Sequence, residues 1–296
     1  MFKKILLAAT PQIGIGTAPR AAFDLVRRHG ADLVLYHALP ICGDPWSSFE
    51  DVVPTEQLVE SARRKIAELY ADDLKDIPGH TIRVVAGGAH EQLLKIIHTE
   101  GVDLVVMGHH RSAMVRPDRM WGVVDTTIRK VCSNVFCPVM VVTDEGPRVA
   151  DVKRIVMATD FSTPSDSALC YAIQVARTYD AHLDIFHVMD IGQNCPNPEY
   201  YMQDMNVFID RIKERMERRY GKGLESISHS FECWEGVPYA EIIKHARWSD
   251  ADLVIMAQYS SSEELAKSFI GSTVIQVALS PGCPSLIVNY RARVCM

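Results

Sequence analysis

Lys4-Ile-Leu-Leu-Ala-Ala-Thr10 and Arg154-Ile-Val-Met-Ala-Thr-Asp160 are two copies of one short apolar run, 150 residues apart, and their repetition decides the fold. Working outward, Gly30-Ala-Asp-Leu-Val-Leu-Tyr-His37 aligns with Asp180-Ala-His-Leu-Asp-Ile-Phe-His187 at the same offset of 150. Val102-Asp-Leu-Val-Val-Met-Gly108 pairs with Ala251-Asp-Leu-Val-Ile-Met-Ala257 at 149, and Cys137-Pro-Val-Met-Val-Val142 with Cys283-Pro-Ser-Leu-Ile-Val288 at 146. An offset that drifts this little over four segments in the same order marks a duplicated unit with small loop insertions. The length of 296 residues agrees, since a chain of this size divides into about two domains.

Helical patterns separate the apolar runs. Thr163 is a candidate N-cap and Pro164 suits a first helical position; Ala168, Leu169, Ala172, Ile173 and Ala176 then share one face. Ala18, Ala21, Ala22, Leu25 and Val26 do the same in the first half. Second helices are marked by Leu58, Ala62, Ile66 and Leu69, and by Met205, Ile209, Ile212 and Met216. Strands at 81–86 and 230–234 precede helices around 93–97 and 242–246. Each half therefore reads β-α-β-α-β-α-β-α-β, and continuous apolar strands alternating with helices predict an α/β fold: two repeated Rossmann-like domains, each a five-stranded parallel sheet with helices on both faces. The expected domains are residues 1–146 and 151–296, joined by a polar linker at 144–151 with a Gly-Pro break. The last strands, 138–142 and 284–288, are apolar edges that need cover, which predicts an internal pseudo-dimer about an approximate two-fold axis, able to associate further as a homodimer.

Composition narrows the function. With 48% hydrophobic and 23% charged residues each half can bury a core, and a net charge of −6 supplies no basic field for nucleic acid or anionic lipid. The longest apolar run, Val135 to Val142, is far short of the ~18–20 residues a membrane span needs. The basic-then-apolar start has an apolar stretch too short for a secretion signal and reads as a first strand, so a cytoplasmic protein is expected. The 8 cysteines form no CxxC pair, which excludes a zinc ribbon or disulfide scaffold and predicts reduced, mostly buried thiols. Cys137 and Cys283, each before a proline at a strand entrance, are expected to be inert.

In such sheets ligands bind beyond the carboxyl ends of the strands where strand order reverses, so the loops after the first and fourth strands matter. Gly14-Ile-Gly16 starts a dinucleotide fingerprint, but its third glycine position is Pro19; no GxxxxGK[ST] loop and no GxSxG elbow occurs. His109-His110 would point apart and lack a third metal ligand at a suitable spacing. His37 and His187 recur at equivalent strand ends, which favours a shared hydrogen bond to backbone over catalysis. No nucleophile is paired with a base, and neither the SGGxDS nor the HxGH motif of adenylating and nucleotidyl-transferring enzymes is present.

The second half holds Ile155-Val-Met-Ala-Thr-Asp160-Phe-Ser, Gly236-Val-Pro238, and then Ala257-Gln-Tyr-Ser260 followed at a distance by Gly271-Ser272-Thr273. These resemble the universal stress protein family, with its Asp ending strand one, its loop G-x2-G-x9-G-[ST] after strand four and its Cys-Pro-Val strand. The resemblance covers nearly the whole chain, as a tandem member. Here Ala257 and Ser260 replace the two early glycines, and the spacer is one residue longer. The resemblance implies a stress-response binding protein responsive to ATP or another adenine nucleotide, with Mg as the metal accompanying ATP, an unknown protein partner, no catalytic residues and at most slow ATP hydrolysis. It places the nucleotide on Thr159, Asp160, Phe161, Val188, Met256, Ala257, Ser260, Gly271, Ser272 and Thr273.

The family loop works because glycines let backbone N–H groups approach phosphate and the Gly-Ser pair opens a helix. Gly271-Ser272 also reads as an ordinary helix N-cap, and Asp160 as a turn-capping carboxylate. In the first half Thr10 stands at the Asp position, and counting back from Cys137 without gaps puts Asp125-Thr126 opposite Gly271-Ser272; a gapped count uses Gly122-Val123. Arg111, Arg116 and Arg119 in that loop either offset charge or form a solvated surface. At most one nucleotide per chain is expected, in the second half. The alternative is a structural or interaction protein whose two sites have both decayed.

Overall fold

Strand and helix follow the apolar runs in alternation, broken in the first half by a short second helix before the third strand. The first half forms β1 (Lys4–Ala8), α1 (Thr17–His29), β2 (Asp32–Leu39), α2 (Thr55–Leu69), a short α3 (Ala71–Leu74), β3 (His80–Ala86), α4 (Ala89–Glu100), β4 (Leu104–His109), α5 (Thr126–Asn134) and β5 (Val139–Thr143). The second forms β6 (Arg154–Ala158), α6 (Thr163–Tyr179), β7 (His182–Asp190), α7 (Met205–Tyr220), β8 (His229–Gly236), α8 (Pro238–Trp248), β9 (Leu253–Gln258), α9 (Ser272–Ala278) and β10 (Ser285–Asn289). The computed structural model describes residues 1–9, 16–39, 55–87, 89–109, 126–143, 149–190, 205–258, 272–280 and 282–289. The linker residues 144–148 lie outside them.

One sheet runs through the whole chain in the order β3-β2-β1-β4-β5-β10-β9-β6-β7-β8. Pairing is parallel within each half and antiparallel where β5 meets β10. At that junction Met140 faces Leu286. These two residues are equivalent in the repeat, 146 apart, so the approximate two-fold axis passes between them. The pleat sends alternate side chains to opposite faces. Ile5 and Leu7 join Met140, Leu286 and the apolar stripes of α1, α2, α6 and α7 on one face. Leu6, Val139, Val141 and Ile287 join those of α4, α5, α8 and α9 on the other. Both core layers cross from one half to the other. Among the described residues no helix is long and apolar enough to cross a membrane.

Local details depart from the sequence reading in two places. Ser162, not Thr163, caps α6, because its hydroxyl accepts from the Ser165 N–H while Thr163 already has helical geometry. The linker's end is not simply polar: Val149–Asp151 forms a 3-10 turn whose Val149 is buried, and the Arg28 guanidinium, stacked 3.9 Å from the centre of the Tyr179 ring, donates to the Ala150 carbonyl. The thiols at the two strand entrances behave as hydrophobes. Burial pushes Cys137 and Cys283 up to about 12, and the Cys283 thiol donates to the Ala251 carbonyl. Cys170 differs, being exposed on α6.

The junction and the thiols are both open to test. Met140→Ala and Leu286→Ala should each cost about 2–5 kcal/mol in urea denaturation, with a double variant that is not additive because the side chains share one site. A thiol reagent applied to the native protein should label Cys170 while Cys137 and Cys283 stay unmodified until unfolding.

Candidate functional site

The parallel order places the second half's switch in strand order between β6 and β9, which pair side by side. Beyond their carboxyl ends lies a cleft of about 290 Å³. Thr159, Asp160, Val188, Met256, Ala257, Ser272 and Thr273 line it, together with Ala158, Ser165, Phe186, His187, Pro238, Ile242 and Val274. Seven of the ten residues expected from sequence thus meet at one cleft. Phe161 stands beside it, and Ser260 and Gly271 lie outside the described residues. The additional lining residues could not be read from spacing, since α6, β7, α8 and α9 deliver most of them across the sheet. The sequence signal that bears on them is the recurrent His187.

Asp160 is built into the turn from β6 to α6. Its Oδ1 accepts from the Ser162 N–H at 2.9 Å and from the Ser165 hydroxyl, and its own N–H donates to Ser165 Oγ. Partial burial opposes its ionisation, but the hydrogen bonds from Ser162 and Ser165 outweigh this and hold the carboxyl below its ordinary range. The residue is therefore a turn-capping carboxylate. Phe161 follows with φ +62, a left-handed conformation that strains a non-glycine residue. Its environment fixes it: the ring lies 4.7 Å from His187, stacks at 6.3 Å on Tyr220, and takes the Arg215 guanidinium at 4.2 Å.

Thr159 is buried and closes the network. Its hydroxyl bonds Tyr220 Oη at 2.9 Å and accepts the Phe161 N–H at 3.1 Å, while its carbonyl accepts from His187 Nδ1 at 2.8 Å. In the first half His37 makes the same bond to the Ala9 carbonyl at 2.9 Å, so the recurrent histidine ties strand one to strand two in both halves. Burial depresses both histidines, partly offset by these bonds, and they are neutral at pH 7. Among the described residues no three His, Cys, Asp or Glu side chains stand together as a metal site requires.

The counterpart in the first half is only partly described. Thr10, His110, Arg111, Arg116, Arg119, Gly122 and Asp125 lie outside the described residues.

A doubled, doubly wound α/β sheet with a cleft at its strand ends defines a class of tandem α/β folds. The chain belongs to the universal stress protein family, whose model matches residues 1–143 and again 151–289. A universal stress protein of Methanocaldococcus jannaschii is 28% identical over 146 residues, covering 46% of this chain and 82% of that one. A crystal structure of a universal stress protein from Archaeoglobus fulgidus superposes with a TM-score of 0.68 at 17% identity, covering 97% of this chain and 96% of that one. A functionally unknown protein from Pseudomonas aeruginosa gives 0.62 at 15%, covering 97% and 92%. At such identities the structural likeness establishes the fold.

Acid stability follows from the histidines. Burial lowers His29 to about 4 and also depresses His37, His187 and His245. A lowered folded pKa means the unfolded chain takes up protons first, so stability is complete above the ordinary value of 6.5 and is lost as pH falls through the folded values. Urea midpoints should fall between pH 6.5 and about 4, and His245→Ile, the first half's residue at that place, should flatten the slope.

Proposed function

We propose that the cleft of the second half holds one adenine nucleotide per chain, and that the protein is a non-catalytic cytoplasmic binder whose conformation or choice of protein partner responds to that ligand. The observation that carries this reading is the convergence of Thr159, Asp160, Val188, Met256, Ala257, Ser272 and Thr273 at the β6–β9 switch, in a cleft of about 290 Å³. Its chemistry suits the ligand's two ends. Phe186, Val188, Ile242 and Met256 offer an apolar wall for a flat base, and an ionised Asp160 accepts from an amino or hydroxyl group but repels phosphate. Ser272 and Thr273, at the start of α9, bring hydroxyl donors to the same cleft for phosphate oxygens. Ala257 in place of a loop glycine keeps the volume small while restricting the backbone, which lowers affinity rather than abolishing it.

Titration calorimetry with ATP and Mg tests the reading, alongside mass spectrometry of the denatured purified protein for a co-purifying nucleotide. One site per chain is expected. Ser272→Ala should weaken it about tenfold, the loss of one hydrogen bond to a charged group. Ala257→Trp should abolish it by filling the cleft. Two equivalent sites, or binding that survives Ala257→Trp, would overturn the assignment, and no binding by the unmutated protein would favour an interaction protein with both sites decayed.

A further inference from the structure

The two halves also differ at the amino ends of β6, β7 and β8, the other end of these strands from the cleft. Arg154 is in register with His182, and Asp184 with Ser230; Ser228, one residue before the His229–Leu183 pair, stands beside His182. Residues in register, or two apart on one strand, project from the same face of a sheet. Backbone pairing alone therefore brings a serine, a histidine and an aspartate together. Sequence spacing hides the set, because Ser228 and His182 lie 46 residues apart on neighbouring strands. At the equivalent places of Ser228, His182 and Asp184 the first half has Gly79, Asp32 and Val34. The same fold is thus built without any of the three.

The side chains meet as the register requires. Ser228 Oγ lies 2.7 Å from His182 Nδ1, and His182 Nε2 lies 3.0 Å from Asp184 Oδ1 and 3.3 Å from Ser230 Oγ. A carboxylate only accepts, so Nε2 carries the ring proton and donates it, and Nδ1 accepts from the Ser228 hydroxyl. Asp184 is itself held in place. The Ser230 hydroxyl donates to its Oδ1, Arg154 donates to its Oδ2 at 3.3 Å, and His245 of α8 stands 3.9 Å from Oδ2. The Asp184 side chain is 4% exposed and that of His182 28%, while Ser228 is open to solvent. The result is a nucleophile within hydrogen-bond reach of a base that a buried third group orients. Either imidazole nitrogen can take a proton while the other faces the acid. A buried carboxylate is unfavourable where the first half's valine is not, so packing does not require it.

We propose that Ser228 is a nucleophile that takes an acyl group from a carboxylic ester, with His182 as its general base and Asp184 as the positioning residue. Ser228 Oγ attacks the ester carbonyl carbon as His182 Nδ1 takes the hydroxyl proton. The bond to the alcohol oxygen breaks, and the alcohol leaves with that proton. Water then attacks the acyl-serine and gives its proton to His182; the carboxylic acid departs as Ser228 regains the proton. The open face admits a small ester directly from solvent. The site shares no residue with the nucleotide cleft, so the two readings stand or fall separately.

Mass spectrometry with peptide mapping of the full chain tests the proposal, after treatment with p-nitrophenyl acetate or with phenylmethylsulfonyl fluoride. Ser228 should be acetylated by the first and sulfonylated by the second, with fluoride displaced, about a hundredfold or more faster than Ser226. Ser226 is the internal control, an exposed serine two residues earlier whose hydroxyl accepts from Arg177. Ser228→Gly restores the first half's residue and should remove the label with the fold intact. His182→Gln should slow labelling of Ser228 by about a hundredfold or more. Asp184→Asn should slow it by about tenfold or more, and nitrogen NMR of the His182 ring should show the proton no longer confined to Nε2. Ser228 modified no faster than Ser226, labelling undiminished in His182→Gln, or a rate and ring tautomer unchanged in Asp184→Asn would each overturn the proposal.

Discussion

The antiparallel pairing of β5 with β10 is the contact on which the rest of the molecule depends. Val139 to Val142 and Leu286 to Val288 are each no more than 2% exposed, so either strand left at an edge would present an apolar ribbon with open backbone groups. Each strand is the other's cover. The pairing joins two parallel sheets into one and carries both core layers across the two-fold axis, which stands perpendicular to the sheet because Met140 and Leu286 face the same layer. A further geometric consequence is that the carboxyl ends of the first half's strands point to one edge of the sheet and those of the second half to the other. The β6–β9 cleft therefore lies at the opposite end of the sheet from the carboxyl ends of the first half's strands.

Much of this was legible because the signals are local and repeated. Four apolar runs at nearly constant offset gave the strands, the Cys-Pro entrances marked the last strand of each half, and the alanine-rich stripe 18–26 proved to be the buried face of α1. The cleft residues adjacent to those strands, Thr159, Asp160, Met256 and Ala257, follow instead from the resemblance to the family's strand-one and strand-four motifs, since the repeat itself departs at Asp160, where the first half has Thr10. Ser165, Phe186 and Ile242 follow from neither, because their place depends on how α6, β7 and α8 cross the sheet, which no spacing encodes. Ser162 displaced Thr163 as the cap of α6 by one residue, a choice between two hydroxyls that only the position of the Ser165 N–H decides. The docking of Val149 was hidden inside a stretch whose charge and Gly-Pro break read as linker.

The two halves also divide their liabilities unevenly. All the described non-glycine residues with positive φ, Phe161, Asp180 and Asp250, lie in the second half, and the first half fills the last two places with Gly30 and Gly101. The same asymmetry holds inside the core. Asp184 and His245 are buried where the first half has Val34 and Ile96, and Asp184 is sustained by His182, Ser230 and Arg154, while His245 stacks on Phe186 with both ring nitrogens lacking a hydrogen bond. Since the first half adopts the same fold with aliphatic residues at these places, neither the acid nor the imidazole is a requirement of the architecture.

Strain and unpaired polar groups persist in a native structure only where surrounding packing over-determines them, and they concentrate where function has displaced stability. Here the surrounding packing includes the other half of the chain. Because the sheet and both core layers are continuous across the β5–β10 junction, the first half supports a second half that carries a strained Phe161, a buried His245 whose Nε2 lies 3.9 Å from the Asp184 carboxylate, and an unpartnered Ser285. Helix α8 shows how closely these features are gathered: Pro238 and Ile242 line the cleft, and His245, further along the same helix, meets Asp184. A single-domain protein would have to place the cleft, the Ser228 site and the stabilising aliphatic core in one unit. Duplication allows one copy to keep the packing while the other departs from it, and that departure, read residue by residue against its own repeat, is what separates functional positions from structural ones in this chain.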